Sequence, residues 1–259
     1  MPVKQVAVVD EDFELVDDGA RVDPDFLEWS LNEWDDFSLE AALQLAEADG
    51  SDSSEVVVVT VGDDEATEGL LTCLAKGADR AIRIWEDALE GADALAVAGV
   101  LAAAVRREQP DLVLCGVQSS DAVNSATGIG LAGHLDLPHV AVVRAISADG
   151  GSLTVERELE GGLVEVVRLG LPALLTVQTG INEPRYANLR AIKQAREKPL
   201  EEVDLAGLGL SSSDVEAASG GRLRRLAEPE AGEGAEMLQG SPAEVAARIA
   251  EIVRDRLSA

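Results

Sequence analysis

The chain has 259 residues, enough for one large domain or for a core domain with an appended segment. Its 49 Asp and Glu residues against 21 Lys and Arg residues give a formal net charge of −28, and such a composition cannot supply the basic face that nucleic-acid binding requires. Since 46% of the residues are hydrophobic, the acidity is not a sign of disorder and the chain is expected to fold.

Short β-branched runs alternate with amphipathic helical stretches through the first two thirds of the chain. Strands are predicted at residues 3–9, 55–61, 81–85, 111–115 and 140–146. Helices are predicted at residues 38–48, with Ser38 as the N-cap, and at 65–76, 92–108 and 125–135. This βαβα repetition predicts an α/β fold with a doubly wound, mostly parallel sheet.

The pattern changes after residue 150. Residues 152–158 and 164–169 alternate with period two around Glu160-Gly161-Gly162, which predicts an antiparallel hairpin, and one more strand is predicted at 171–177. We therefore expect a core at 1–206 and, at 207–259, a mostly extended tail. The tail ends in an amphipathic helix at 242–257, and that helix needs a surface to lie on.

Two predicted strand ends could bind a ligand, because ligands of open α/β sheets lie beyond the carboxyl ends of the strands. The first is at Gly62. The second is the segment 116–130, GVQSSDAVNSATGIG, where a helix N-terminus with the hydroxyls of Ser125 and Thr127 could hold a phosphate. An ordinary capped helix explains that segment equally well.

Two further clusters each allow two interpretations. Five basic residues lie within 14 positions and form either a docking surface for an acidic partner or flavin, or internal ion pairs: Arg185, Arg190, Lys193, Arg196 and Lys198. Trp29, Trp34 and Phe37 form either plain core or the lip of a site for a planar ligand.

Enzyme chemistry has little support in the sequence. Cys73 and Cys115 have no CxxC or His neighbours, which predicts buried, inert thiols and no metal site. His134 and His139 have no convergent carboxylate pair, and no nucleophile and base are spaced for catalysis. No apolar run of about 18 residues and no secretory leader occur, so a cytoplasmic protein without membrane insertion is expected.

Several motifs, in the same order, carry a resemblance to one family. VERELEGGLVEVVRLGLPALLTV at 155–177 and NEPRYANLRAIKQAREKPLEEVDLAGLG from residue 182 onward resemble the signature and the recognition segment of the electron transfer flavoprotein beta subunit. LAKGADRAI, DLVLCGVQSSD and TGIGLAGHLDLP extend the similarity to about residues 1–210.

The resemblance implies a fold of the adenine-nucleotide hydrolase-like type and a role as electron carrier rather than enzyme. The family forms αβ heterodimers with one FAD, held mostly by the alpha subunit, and the beta subunit usually buries an AMP. Electrons pass from acyl-CoA dehydrogenases and related flavoenzymes to a membrane quinone oxidoreductase. The final helix is then expected to pack on the alpha subunit.

The resemblance also assigns residues. Trp34 matches the aromatic residue that approaches the flavin, and Asn32 matches an asparagine that contacts the nucleotide. The other implied cofactor-binding residues are Gly62, Asp121, Ser125, Thr127 and Gly128. The implied partner-recognition residues, within 182–199, are Pro184, Arg185, Tyr186, Leu189, Ile192 and Lys193.

Three departures from the family pattern bear on the nucleotide. Asp10 stands where a lysine is common after the first strand, Leu71 stands where a helix often has arginine, and Ser125-Ala126-Thr127-Gly128 replaces the usual phosphate loop. AMP, a second FAD or no ligand thus remain open. Residues 122–124 do not follow the loop of electron-bifurcating, NADH-using relatives, which ranks bifurcation lower. A stand-alone nucleotide-binding stress-type protein is a further alternative, although it would need a self-sufficient Gly-rich phosphate loop.

The scarcity of lysine and the spread of carboxylates over the whole chain favour a protein adapted to multimolar salt, in which self-repulsion is screened. The alternative is an acidic protein of an ordinary mesophile. The two differ in how the stability depends on salt.

Overall fold

The computed structural model describes residues 1–10, 12–16, 19–51, 53–221, 223–227, 234–235 and 237–257. The chain divides into two compact units, Met1–Arg225 and Leu226–Ala259, which are described separately.

The described residues of the first unit contain ten strands and six helices. The strands are β1 (Gln5–Val9), β2 (Leu27–Leu31), β3 (Val57–Val61), β4 (Arg80–Ile84), β5 (Leu112–Gly116), β6 (His139–Asp149), β7 (Ser152–Glu158), β8 (Val164–Gly170), β9 (Ala173–Val177) and β10 (Leu200–Val203). The helices are α1 (Glu33–Asp49), α2 (Thr67–Lys76), α3 (Ala94–Glu108), α4 (Thr127–Leu135), α5 (Leu189–Ala195) and α6 (Ser212–Ala218). The second unit contains α7 (Pro242–Leu257).

Four of the seven pairings between the described strands are parallel. One sheet has the parallel order β10-β4-β3, and a second has the order β5-β9-β6-β7-β8, in which β5, β9 and β6 are parallel and β6, β7 and β8 are antiparallel. β1 and β2 form an antiparallel ribbon. Just before β1, Pro2 bridges to Val59 in parallel, and the Val3 N–H donates to the Val59 carbonyl at 2.9 Å. The predicted α/β class with a mostly parallel sheet and an antiparallel hairpin is confirmed.

Helices cover both faces of the parallel strands because successive strand residues face opposite sides. On β3, Val58 belongs to the core cluster beneath α1 and α2, whereas Val59 belongs to the cluster beneath α3 and α4. Near-continuous burial of β3 and β4 explains why their sequences lack the alternation of a half-exposed strand. The ligand edge of such a sheet is left free between the helices.

The beginning of the chain differs from the prediction in two ways. α1 starts at Glu33, with Asn32 as its N-cap, so Ser38 is not a cap but a buried residue inside the helix. The parallel pairing with β3 ends at Val3, and the following residues turn into the β1–β2 ribbon, of which β2 was not predicted.

The segment predicted to be extended from residue 207 instead contains α6. Val215 of this helix is buried in the same core cluster as α3. A single apolar anchor in a polar, Ser-rich stretch gives too weak a periodicity to predict a helix. Among the described residues, no helix combines the length and the hydropathy needed to cross a bilayer.

Candidate functional site: a cavity at the strand ends

A cavity of about 310 Å³ lies where parallel strands end. Val61 closes β3, Trp85 follows β4 and Gly116 closes β5, and all three line the cavity. The N-terminal ends of α3 and α4 complete the wall through Asp93, Ala94 and residues 126–128. This is the edge at which an open α/β sheet binds its ligand.

The residues that line the cavity form two chemical groups. The apolar group includes Val61, Trp85, Leu89, Val97, Leu101 and Leu131. The polar group includes Lys4, Asn32, Asp35, Gln118, Ser119, Asn124, Ser125 and Thr127. A flat apolar group beside a polar or anionic group is the kind of ligand that matches this division.

Asp35, in the first turn of α1, joins two chain segments that line the cavity. Its Oδ2 accepts the Lys4 N–H at 2.8 Å and its Oδ1 accepts the Gly116 N–H at 3.0 Å. Burial raises the pKa of this carboxyl to about 6, against the opposing effect of the hydrogen bonds that it accepts. A Cβ at position 116 would lie 2.5 Å from Asp35 Oδ1, so only glycine permits this approach.

Asn32 fixes the loop that follows β5. Its Nδ2 donates to the Gln118 carbonyl at 2.8 Å, and its Oδ1 accepts the Ser120 N–H at 3.2 Å. The side chain is buried, and its amide is already engaged at both ends. Asn32 therefore shapes the cavity by holding the loop.

The start of α4 presents free backbone donors to the cavity. Its N-cap residue, Ala126, provides no side-chain acceptor for the N–H groups of the first turn. Ser125 lies just before it with a φ of 49°, a conformation that non-glycine residues rarely adopt. Thr127 adds a hydroxyl beside the first turn. An uncapped helix N-terminus carries partial positive charge and suits a phosphate group.

Lys4 is the only lysine or arginine among the described residues that line the cavity. Its Nζ contacts both carboxylate oxygens of Asp121 at 2.7 Å. Partial burial would raise the pKa of Asp121, but the Lys4 ammonium and other donors hold it below its ordinary value. Lys4 follows the parallel stretch that ends at Val3, so a lysine does stand after the first parallel strand.

The departures predicted at Asp10 and Leu71 therefore do not affect this cavity. Asp10 lies at the far end of β1 and Leu71 packs against the core cluster beneath α1 and α2; neither residue lines the cavity. The strand predicted at residues 3–9 changes its partner within that range, since the parallel contact with β3 ends at Val3 and residues 5–9 pair with β2.

Four of the seven predicted cofactor-binding residues line the cavity, namely Asn32, Ser125, Thr127 and Gly128. Asp121 is linked to it through Lys4. Gly62 is not part of the lining; it follows Val61 and permits a tight turn, since a Cβ there would lie 2.6 Å from Ala66 Cβ.

Trp34 lies outside the lining, and its Nε1 donates to Gln178 Oε1 at 2.9 Å. Asp35, Trp85 and Asp93 line the cavity without having been predicted, because no local motif marks them.

Comparisons with known proteins decide the family. Residues 23–208 match the model of the electron transfer flavoprotein domain. A protein of Methylophilus methylotrophus named electron transfer flavoprotein subunit beta is 51% identical over 256 residues, covering 98% of this chain and 96% of that protein. The chain belongs to the electron transfer flavoprotein beta-subunit family. A beta subunit of Bacillus subtilis (strain 168) is 35% identical over 95% of this chain and 93% of that protein.

Membership of this family gives the chain the role of an electron carrier. Both cysteines are buried as predicted, and burial raises the pKa of the Cys115 thiol to about 12. Within the described residues, no His, Cys, Asp or Glu side chains are grouped as a metal site requires.

The segment that resembles the recognition segment of electron transfer flavoproteins projects apolar side chains into solvent. Tyr186 is 97% exposed and Leu189 is 81% exposed, and Ile192 lies one helical turn after Leu189. Asn188 caps α5 by accepting the N–H groups of Arg190 and Ala191 at 3.0 and 2.9 Å. We name Tyr186, Leu189 and Ile192 the α5 surface.

The basic residues around the α5 surface divide into two groups. Arg185 pairs with Glu40 and Glu47, and Lys198 Nζ donates to the carbonyls of Leu74 and Ala78 at the end of α2. Internal ion pairing thus applies to Arg185, and the docking surface stays a prediction for the other members. No ion pair between described residues involves Arg190, Lys193 or Arg196; Lys193 is exposed and Pro184 is half-buried.

Proposed function

We propose that the chain is the beta half of an αβ heterodimer that carries one FAD, held mostly by the alpha subunit. It would pass electrons from acyl-CoA dehydrogenases and related flavoenzymes to a membrane quinone oxidoreductase, working in the cytoplasm. The observation that carries this proposal is the α5 surface: Tyr186 and Leu189 bury little of their side chains within the chain and suit a transient apolar contact with a partner.

The bound flavin supplies the redox chemistry. This chain contributes surfaces around it, and Trp34 stays our candidate for the side chain that faces the ring. The hydrogen bond from Trp34 Nε1 to Gln178, and the contact of its Cβ with Gly116, fix the indole orientation. Fixed orientation lets an aromatic side chain exclude water from one side of a planar ligand.

AMP is the ligand that we propose for the cavity. A volume of about 310 Å³ lies at the small end of the range for ligand sites, about 300–1,000 Å³, which favours a mononucleotide over a whole second FAD. The apolar lining residues, among them Trp85, suit a base. The N–H groups in the first turn of α4, together with Thr127 and Lys4, suit a phosphate. The same size argument ranks electron bifurcation, which needs a second flavin in this cleft, below plain electron transfer.

The second unit supports the heterodimer. α7 has no buried residue, and its apolar side chains Val245, Ile249, Ile252 and Val253 lie on one face. A helix with such a face needs a partner surface, and we propose that the alpha subunit provides it.

Co-expression with an alpha-subunit candidate tests the proposal. We expect a yellow heterodimer with one FAD, and one equivalent of AMP released on denaturation and identified by chromatography. A second FAD together with reduction by NADH would favour the bifurcating alternative. A colourless chain that does not bind the alpha subunit but binds nucleotide by itself would favour the stress-type protein.

A further inference from the structure

The chain that leaves α6 is held by one carboxylate at the first turn of α3. Asp93 Oδ2 accepts the N–H groups of Gly220 at 2.6 Å and Gly221 at 2.8 Å. Asp93 Oδ1 accepts the N–H groups of Leu95 and Ala96 at 3.0 and 2.9 Å, which caps α3. These four bonds fill the acceptor sites of a carboxylate. We call Asp93 with Gly220 and Gly221 the Asp93 clasp.

The same carboxylate belongs to the wall of the cavity. Asp93, Ala94 and Val97 line it from α3. Helix α3 packs closely on α4 here, since a Cβ at Gly130 would lie 3.1 Å from Ala98 Cβ and 3.3 Å from Leu95 Cδ2. Leu95 in turn lies next to the clasp, 3.9 Å from a Cβ placed at Gly220. A contiguous series of contacts thus connects the clasp with the helix whose N-terminus suits the phosphate.

The clasp is also the last attachment of the described chain within the first unit. Val215 anchors α6 in the core, but the described residues 223–225 make no hydrogen bond with other described residues of that unit. Leu223 is exposed, and Arg224 and Arg225 are exposed as well. The seating of residues 219–221 and 223–225, the segment that follows α6, therefore depends on the clasp.

We propose that Asp93 is a positioning residue that couples the seating of the segment that follows α6 to the occupancy of the cavity. A closed clasp holds the first turn of α3 in the position that completes the wall, so the closed state binds the ligand more tightly than the open one. By linkage, a bound ligand holds the clasp closed to the same extent. The inference rests on the proposed function in one respect, the binding of a mononucleotide in the cavity.

Two glycine variants separate the clasp from the cap of α3. Replacing Gly220→Pro and Gly221→Pro removes both N–H donors and leaves the Asp93 bonds to Leu95 and Ala96 in place. Gly220→Ala with Gly221→Ala keeps both donors and is the matched control. It fits because the added Cβ atoms would lie 3.7 and 3.8 Å from Asp93 Oδ2 and neither glycine has a left-handed φ.

Two measurements on the full-length chain read out the coupling: AMP affinity by calorimetry, and the rate of trypsin cleavage after Arg224 and Arg225. In the proline variant we expect cleavage about five-fold faster and AMP binding about five-fold weaker than in the alanine control, which behaves like the wild type. Saturating AMP should slow cleavage of the wild type and the control but not of the proline variant.

Other outcomes overturn the inference in distinguishable ways. If the proline and alanine variants bind AMP and are cleaved alike, the clasp has no positioning role. If wild type binds AMP but AMP slows cleavage of all variants equally, or of none, the coupling is wrong while the cavity proposal stands. If wild type binds no AMP, the nucleotide part of the proposed function fails and the coupling fails with it. Should the proline variant not fold, Asp93→Ser keeps a capping oxygen for α3 but cannot hold both glycines, and it is judged by the same measurements.

Discussion

Arg185 stands at the edge of the α5 surface, but its guanidinium faces inward. Its Nε donates to Glu40 Oε2 at 2.8 Å and its Nη1 donates to Glu47 Oε1 at 2.6 Å. Burial alone would raise the pKa of Glu40, yet the bonds from Arg185 and Gln44 bring it below its ordinary value. Glu40 is only 5% exposed, so without Arg185 its negative charge would be left almost buried and without a cation.

We therefore predict that Arg185→Ala lowers the free energy of unfolding by about 2 kcal/mol, less than the loss of a fully buried pair because Arg185 is one-third exposed. Arg190→Ala is the matched control, since Arg190 has no ion pair among the described residues, and its effect should stay within about 0.5 kcal/mol. Urea unfolding at neutral pH measures both.

The pH dependence provides a check on the cause. The folded pKa of Glu40 lies below its ordinary value of 4.5, so the stabilisation by the pair is complete well above that pH. It is lost as the pH falls through the folded pKa and Glu40 becomes protonated. The stability difference between Arg185→Ala and wild type should therefore shrink in acid, and a difference that grows there would refute the ion pair as its source.

Single residues show where the sequence was informative and where it was not. The small and polar run 116–130 predicted the cavity segment with Ser125, Thr127 and Gly128, because local composition and a helix start suffice for that inference. The partner of Arg185 lies 145 positions away, and Asp35 joins Lys4, 31 positions away, to Gly116, 81 positions away. Pairing at such separations is set by the packing of α1 on the sheet and has no local pattern.

At the scale of elements, α4 can begin close to the sheet only because its second residue, Gly128, has no side chain. A Cβ at Gly128 would lie 2.7 Å from Cys115 Sγ and 2.8 Å from Thr176 Cγ2, on β5 and β9 respectively. Neither neighbour can move freely, since Thr176 and Cys115 are both buried. The helix start is thus pressed against the strand ends, which brings its free N–H groups to the cavity.

We predict that Gly128→Ala lowers the free energy of unfolding by about 1–3 kcal/mol, because the overpacked helix start must move away from the sheet. Gly133→Ala, in the same helix with nothing within 4 Å of an added Cβ, should instead stabilise the chain by about 0.5–1 kcal/mol. Chemical denaturation compares the two. Equal effects of the two substitutions would contradict the close approach at Gly128.

The α5 surface leads to a functional prediction. Leu189→Ala should slow electron acceptance from a partner dehydrogenase about three-fold or more, because a central apolar contact is lost. FAD content and the free energy of unfolding should not change, since the Leu189 side chain is 81% exposed. Leu163→Ala, an exposed leucine at the hairpin between β7 and β8, is the control. Stopped-flow reduction of the flavin measures the rate, and equal rates for the two variants would remove α5 from partner recognition.

Elements were predictable to the extent that they are buried. The sequence predicted β3 and β4 from short apolar runs, and α2 and α3 from apolar residues that repeat with the period of a helix. It missed β2, although Leu27, Trp29 and Leu31 alternate with polar residues, because the strand has only five residues and none of them is buried in the core. The start of α1 was missed because acidic residues fill its first turn before the apolar periodicity begins.

In the molecule as a whole, acidic side chains greatly outnumber the basic side chains that could pair with them. Some of the cations form ion pairs with carboxylates, among them Lys76 with Asp36 and Arg80 with Glu55 and Glu108. With 49 acidic and 21 basic residues, most carboxylates must remain without a cation. Folding brings these charges together, so their repulsion opposes the compact state at low ionic strength.

We predict that the melting temperature rises by about 5 °C or more between 0.1 and 2 M KCl. The Debye length falls from about 10 Å at 0.1 M to about 3 Å at 1 M, so repulsion between neighbouring carboxylates is then largely screened. A gain of about 2 kcal/mol in a chain of this size corresponds to a shift of that order.

Sucrose, which favours the compact state without screening charge, is the control and should not reproduce the low-salt part of the rise. If the melting temperature is the same at both KCl concentrations, the repulsion is too weak to matter and the chain is an acidic protein of the ordinary kind. In high salt, steering by charge is screened as well, so recognition at the α5 surface must depend on the apolar contact of Tyr186, Leu189 and Ile192.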